Sequence, residues 1–267
     1  MARLAISTPA PTLSNERFFL RASIAMVLVI VAGFSLQLGM GRSSFSSPLL
    51  VHAHAVVFMG WVLIYLLQNT FIATGKVALH RTLGWIAAAW IFPMLVLGCM
   101  VTVAMVRQGH VPFFFRPLQF LVFDSLALFA FAGLTVAAIV LRRSTQWHRR
   151  LHYCGMAILL APGFGRLLPM PLLQPWAWEA TFAATMIFPL IGVVSDIRRN
   201  GRAHPAWGWG IAAMLGMAMA TEAITYTPAG TAIYRGVVSG SAGADVPPLE
   251  FANPPVGPQR TGRVETK

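Results

Sequence analysis

Residues 48–106 decide the fold, and they read PLLVHAHAVVFMGWVLIYLLQNTFIATGKVALHRTLGWIAAAWIFPMLVLGCMVTVAMV. The stretch contains no Asp or Glu, and its only Lys and Arg, Lys76 and Arg81, lie between two long apolar runs. A run of about 20 apolar residues crosses the roughly 30 Å hydrocarbon core of a bilayer as a helix. Because backbone groups in lipid must be hydrogen-bonded within their own segment, the two runs predict a pair of membrane-spanning helices.

The same pattern continues on both sides and predicts an all-α fold, a polytopic membrane helix bundle. Only 10% of the 267 residues are charged, whereas a soluble domain carries about 25% charged residues. The connections between the apolar runs are short, which favours one bundle with a four-helix core made of the second to fifth spans. The seven transmembrane helices are predicted at 18–40, 48–73, 82–106, 112–141, 149–168, 176–197 and 205–227.

Positive charge is distributed unevenly between the two ends of the predicted bundle. The N-terminal segment and the second, fourth and sixth loops carry most of the Arg and Lys residues, and such loops face the cytoplasm. We therefore predict a cytoplasmic segment over 1–17, a seven-helix transmembrane domain over 18–227 and a disordered extracytoplasmic tail over 228–267. The partner that this pattern predicts is the lipid bilayer, because Arg and Lys beside the ends of the spans set their orientation in the membrane. The net charge of +12 therefore does not indicate nucleic-acid binding.

Two histidines open predicted spans within a short repeat. His80-Arg81-Thr82-Leu83 opens the third span and His148-Arg149-Arg150-Leu151 opens the fifth. Both follow an apolar hairpin partner and a basic loop, so His80 and His148 are expected at the same depth. Facing histidines in a bundle core can be the two axial ligands of a b-type haem.

Other residues near the repeat extend this hypothesis. His152 lies four residues after His148 and shares its helix face, so either one could be the ligand. Arg81, Arg149 and Arg150 could pair with haem propionates, because a guanidinium group matches a carboxylate bidentately. The alternative is that each H-R-x-L is only an interfacial anchor with cytoplasmic positive charge.

Four ionisable residues fall within or beside the outer halves of the predicted spans, the halves farther from His80 and His148. Ionisable groups inside a membrane are costly and mark functional sites. The residues could line one polar cavity that binds a quinone or another small substrate, passes protons or holds a metal, or they could be satisfied ion pairs. They are His54, Asp124, Arg166 and Glu222.

The stretch from His54 to Gly84 resembles a pattern in uncharacterised bacterial multi-pass membrane proteins. In that pattern a histidine-led span runs to a Gln, a short loop and H-R-x-L-G, and a later H-x-R-L opens another span, which is here His148–Leu151. Over residues 50–165 the chain is also similar to the four-helix core of the transmembrane diheme b-type cytochromes that pass electrons from ascorbate. This chain lacks their outer histidine in the fourth span, so a second haem is not implied.

The leading hypothesis is a protein of the bacterial inner membrane that binds one haem b through His80 and His148. Its function would be membrane electron transfer, or assistance to a respiratory or haem-handling system, with a quinone or another redox partner. The competing class is a cofactor-free small transporter or accessory subunit that uses the intramembrane polar residues as a relay. A homo-oligomer is compatible with both. No Walker motif, Rossmann glycine pattern or C-x-x-C-H haem attachment motif is present.

Overall fold

The computed structural model describes residues 13–43 and 45–254, and all regular structure in this part of the chain is helical. The prediction of an all-α fold is therefore confirmed for these residues. Two short 3₁₀ turns, Met170–Leu173 and Ala242–Asp245, accompany the α-helices. The α-helices are α1 Leu13–Gly39, α2 Leu49–Ala73, α3 Val77–Arg107, α4 Pro117–Val140, α5 Thr145–Ile158, α6 Ala161–Leu167, α7 Ala177–Asn200, α8 Pro205–Thr225 and α9 Pro228–Val238.

Five of the described helices are long and apolar enough to cross a membrane, namely α1 from Glu16, α2, α3, α4 and α7. They have 24 to 31 residues, and at 1.5 Å per residue each exceeds the roughly 30 Å hydrocarbon thickness. Large apolar side chains such as Leu28, Val56 and Phe92 are exposed on them, as expected of a surface that faces lipid chains. The protein is therefore of the helical multi-pass membrane class.

The fifth predicted span is not one continuous helix. The expectation over 149–168 is wrong in this respect, because the chain breaks between α5 and α6. Pro162 is the second residue of α6 and has no N–H to donate to the carbonyl oxygen of Ile158, the last residue of α5, so the backbone bond that would bridge the break is missing. Beyond the break α6 packs closely on α1, where a Cβ on Gly33 would lie 2.6 Å from the carbonyl oxygen of Gly163.

Neighbouring helices of the bundle pack in chain order. The helix α2 contacts α1 and α3, α4 contacts α3 and α5, and α1 also contacts α6. Trp61 of α2 meets Phe131 of α4 edge to face, with ring centroids 5.0 Å apart. The helix α8 packs on both α4 and α5, so the core contains one helix more than the predicted group of four.

A buried ion pair joins α5, α7 and α8. Arg150 has a side chain that is 1% exposed, and its Nη2 and Nε donate to the two carboxylate oxygens of Asp196 at 2.7 and 2.8 Å. The Asp196 Oδ2 atom also accepts from Trp207 Nε1 at 2.9 Å and from the backbone nitrogen of His204 at 3.1 Å. Burial lowers the pKa of His204, and the neutral ring caps α8 by accepting from the Ala206 nitrogen at 3.1 Å. Arg150 is therefore committed to Asp196, and the expectation that it pairs with a propionate is wrong.

The segment after residue 227 is folded over the ends of α3 and α4, so the expectation of a disordered tail is wrong for residues 228–254. Thr227 caps α9 by accepting from the Gly230 nitrogen at 3.2 Å, and Tyr234 on α9 is 2% exposed. The backbone nitrogen of Leu118 donates to the carbonyl of Pro248 at 2.9 Å. The part of the expectation that concerns residues 255–267 lies outside the described residues, as does that for residues 1–12.

Candidate functional site

Three histidines cluster at one end of the bundle. We call this the histidine end, the end at which α3 and α5 begin. The ring centroids of His80 and His148 are 6.1 Å apart with an interplanar angle of 88°, and those of His148 and His152 are 4.7 Å apart at 84°. The structure thus brings together the two histidines of the repeat and His152, which lies four residues after His148.

Helix hairpins place the two repeat histidines at equal depth. His80 is the fourth residue of α3 and His148 is the fourth residue of α5. Gly75 has a φ of +73° in the turn between α2 and α3, a conformation that glycine adopts without a steric penalty and that commonly ends a helix. Because both hairpins turn at the histidine end, the first turns of α3 and α5 meet there.

The hydrogen bond of His148 fixes its tautomer. Its Nδ1 lies 2.8 Å from the carbonyl oxygen of Ala138 on α4. A carbonyl oxygen can only accept, so Nδ1 carries the hydrogen and the Nε2 lone pair is free. A backbone carbonyl on the other ring nitrogen is the usual arrangement of a metal-ligating histidine.

Seven buried side-chain polar atoms of the described residues have no hydrogen-bond partner, and four of them lie on α2, α3 and α4. Among the described residues they include Trp61 Nε1, Gln68 Oε1, His80 Nδ1 and Thr135 Oγ1. Such atoms are rare in folded proteins and indicate the place of a ligand or an ordered water. Beside Gln68, a Cβ added to Gly84 would meet only the Gln68 amide nitrogen, at 3.5 Å, so the first turns of α3 leave room next to His80.

The histidine pair is the group of residues that could hold a cofactor. No group of three or more His, Cys, Asp or Glu side chains within residues 13–43 and 45–254 is arranged to hold a metal ion. A b-type haem can be held by two histidines from facing helices. His80 and His148, whose ring centroids are 6.1 Å apart, are the residues that would hold it.

The arginines predicted to hold propionates lie at different places. Arg81 is exposed beside His80, whereas Arg149 stacks over Phe19 with its Cζ 4.9 Å from the ring centroid. Arg142, in the turn before α5, is close enough to His148 to interact electrostatically. Pairing of Arg81 and Arg149 with haem propionates stays a prediction. Arg142 is a further arginine close to the histidine pair.

At the other end of the bundle, which we call the opposite end, Asp124 accepts a hydrogen bond from the hydroxyl of Thr102. Arg166 is near enough to interact electrostatically with both Asp124 and His54. His54 stacks on Phe58 with centroids 4.2 Å apart. That these residues line one polar cavity stays a prediction.

Glu222 belongs to a separate network. Its Oε1 accepts from Gln119 Nε2 at 3.0 Å and from Trp178 Nε1 at 2.9 Å. Thr102, Gln119 and Trp178 were missed from the sequence, although each is a polar group on an apolar helix. A single polar side chain on an apolar helix is a signal that the sequence does contain. Which carboxylate that side chain reaches depends on the rotation of its helix, which only the structure shows.

The chain matches no protein-family model, no curated protein and no solved structure.

Proposed function

We propose that this protein binds one b-type haem at the histidine end, with His80 and His148 as axial ligands, and acts in membrane electron transfer or as an accessory protein of a respiratory system. The observation that carries the proposal is the 6.1 Å pair of imidazoles from two helices. The hydrogen bond from His148 to Ala138 supports it, because it leaves Nε2 free to bind iron.

The residues around the pair have separate roles in this proposal. Haem b, when bound, supplies a one-electron carrier. His148 is held in one orientation by the Ala138 carbonyl, and the ring centroid of His152 lies 4.7 Å from that of His148. Leu151, three residues after His148, is buried, and apolar residues beside a haem site exclude water and tune its potential.

The same proposal includes a topology of seven crossings. It counts α5 and α6 together as one crossing and α8 as the last, with the N-terminus in the cytoplasm of a bacterial cell. The basic residues support this orientation, because Lys76, Arg142, Arg143 and Arg202 all lie at the histidine end. An alkaline phosphatase reporter fused after Lys267 is expected to be active, and activity only of a cytoplasmic reporter at that position would contradict the topology.

The haem proposal is tested on the purified full-length protein from haem-replete cells. The reduced-minus-oxidised spectrum is expected to show Soret and α bands of haem b, with about one haem per chain by pyridine haemochrome. Colourless protein that takes up no added haemin would overturn the proposal and favour the cofactor-free transporter or accessory subunit.

A further inference from the structure

A groove with a volume of about 520 Å³ runs along the lipid-facing side of α7. We call it the α7 groove. Its apolar part is lined by Ile187, Leu190, Ile191 and Val194, which share one helix face and are each between 46% and 50% exposed. Because α7 is long and apolar enough to cross a membrane, lipid chains are the natural neighbours of this part of the groove.

The α7 groove ends in polar side chains at the histidine end of the bundle. Ser195, Arg198 and Arg199 line this part, and both arginines are exposed in the last turn of α7. Ile187 precedes Arg198 by 11 residues, which is about 16.5 Å along a helix that rises 1.5 Å per residue. Half of the roughly 30 Å hydrocarbon core is about 15 Å. The groove therefore spans the depth of one lipid leaflet and has its arginines at the level of the headgroups.

An aromatic side chain of α1 fixes the position of one of these arginines. The Cζ atom of Arg199 lies 5.2 Å from the ring centroid of Phe18. Phe18 in turn stacks on the buried ring of Tyr153, with centroids 6.0 Å and planes 13° apart. A cation is attracted to the face of an aromatic ring, and a side chain that is already held in place loses less entropy when a ligand binds. Arg199 is therefore preorganised beside the groove.

The neighbouring acidic side chain does not neutralise the α7 groove. Asp196 is 4% exposed, and its carboxylate is bonded to Arg150 of α5 inside the bundle. No carboxylate of the described residues lies within 4.0 Å of the side-chain nitrogens of Arg198. On α1, Glu16 in the first turn is followed directly by Arg17. The polar end of the groove therefore carries net positive charge.

We infer that the α7 groove binds one anionic phospholipid of the bilayer, with its phosphate against Arg198 and Arg199 and an acyl chain along residues 187–194. A guanidinium group presents parallel N–H donors that match two phosphate oxygens, and basic side chains at the membrane surface bind anionic headgroups. The aliphatic side chains next to the arginines favour a phosphate that carries an acyl chain over a free phosphate ion. The groove contains neither His80 nor His148, so the inference is independent of haem binding.

The test is native mass spectrometry of the full-length protein in detergent. The protein is titrated with phosphatidylglycerol and, separately, with phosphatidylethanolamine that has the same acyl chains. The first molecule of phosphatidylglycerol is expected to bind about tenfold tighter, because each arginine near an anionic headgroup contributes about 1 kcal/mol. This preference should disappear in the double variant Arg198→Gln with Arg199→Gln.

Two further variants separate the arginines from the general charge of this end and from the apolar part of the groove. The matched control is Arg142→Gln with Arg143→Gln, which removes two adjacent exposed arginines from the turn before α5, outside the groove. It should keep the preference for phosphatidylglycerol. Val194→Trp fills the apolar part with a larger side chain and leaves both groove arginines in place, and it should weaken the binding of phosphatidylglycerol several-fold.

Four results would overturn the inference. They are equal affinity for the two lipids, a preference that Arg198→Gln with Arg199→Gln leaves unchanged, an equal loss in the control pair, and binding that Val194→Trp does not weaken. If the double groove variant does not fold by circular dichroism, Arg198→Gln alone replaces it. This single change is suitable because Arg198 is exposed and forms no ion pair with the described residues.

Discussion

Replacing His148 by alanine is expected to lower the haem content of the purified protein by about tenfold or more, in line with the cost of disturbing metal-ligand shells. The change removes the imidazole whose Nε2 is left free by the bond to Ala138. His80→Ala should have the same effect, because the two rings form one pair with centroids 6.1 Å apart. The measurement is the ratio of Soret to protein absorbance, together with pyridine haemochrome.

Two further histidine variants decide whether this loss is specific. His152→Ala should keep most of the haem, because His152 contacts His148 and does not pair with His80 in the structure. His52→Ala, at the opposite end, should keep all of it. Loss of haem in His152→Ala with retention in His148→Ala would assign the ligand to His152, and equal haem content in every variant would contradict ligation by this cluster.

Replacing Asp196 by alanine is expected to destabilise the fold by about 3–5 kcal/mol, the usual cost of leaving one member of a buried ion pair alone. Arg150 would stay buried with a charge that has lost both of its carboxylate bonds. Trp207 Nε1 and the His204 nitrogen would lose their acceptor as well. The measurement is the loss of helical signal with temperature or denaturant in one detergent.

Two controls test whether the effect comes from the unpaired charge. Arg143→Ala changes an exposed arginine at the same end and should stay within about 0.5 kcal/mol of the unmodified protein. The double variant Arg150→Met with Asp196→Leu should recover much of the loss, since apolar replacement of a whole buried pair is often neutral or stabilising. A loss below about 1 kcal/mol in Asp196→Ala would contradict the central role of this pair.

The positions of most helices could be predicted from the sequence because bilayer thickness and flanking charge fix where an apolar run begins and ends. The predicted 48–73 became Leu49–Ala73, and the predicted 205–227 became Pro205–Thr225. The break before Pro162 could not be predicted from the proline alone, because Pro93 and Pro189 lie inside the unbroken helices α3 and α7. The helix α9 was missed because its Gly and Ala content resembles that of a tail, although Thr227 and Pro228 form an ordinary helix start.

Only one property of the candidate site could be predicted from the sequence, namely the depth of each histidine in the membrane. Depth follows from position along a span, so the repeat placed His80 and His148 at one level. Contacts between distant helices depend on the rotation of each helix about its axis, which the sequence pattern does not determine in a nearly uniform apolar run. The pairing of Arg150 with Asp196, 46 residues apart, and of Glu222 with Trp178, 44 residues apart, therefore appeared only in the structure.

Low-temperature electron paramagnetic resonance of the oxidised full-length protein distinguishes ligation by two histidines from other states of the haem iron. We expect a low-spin ferric haem signal, which His80→Ala and His148→Ala convert to high spin or abolish. Absence of a haem iron signal in protein from haem-replete cells, or a low-spin signal that both variants leave unchanged, would contradict it.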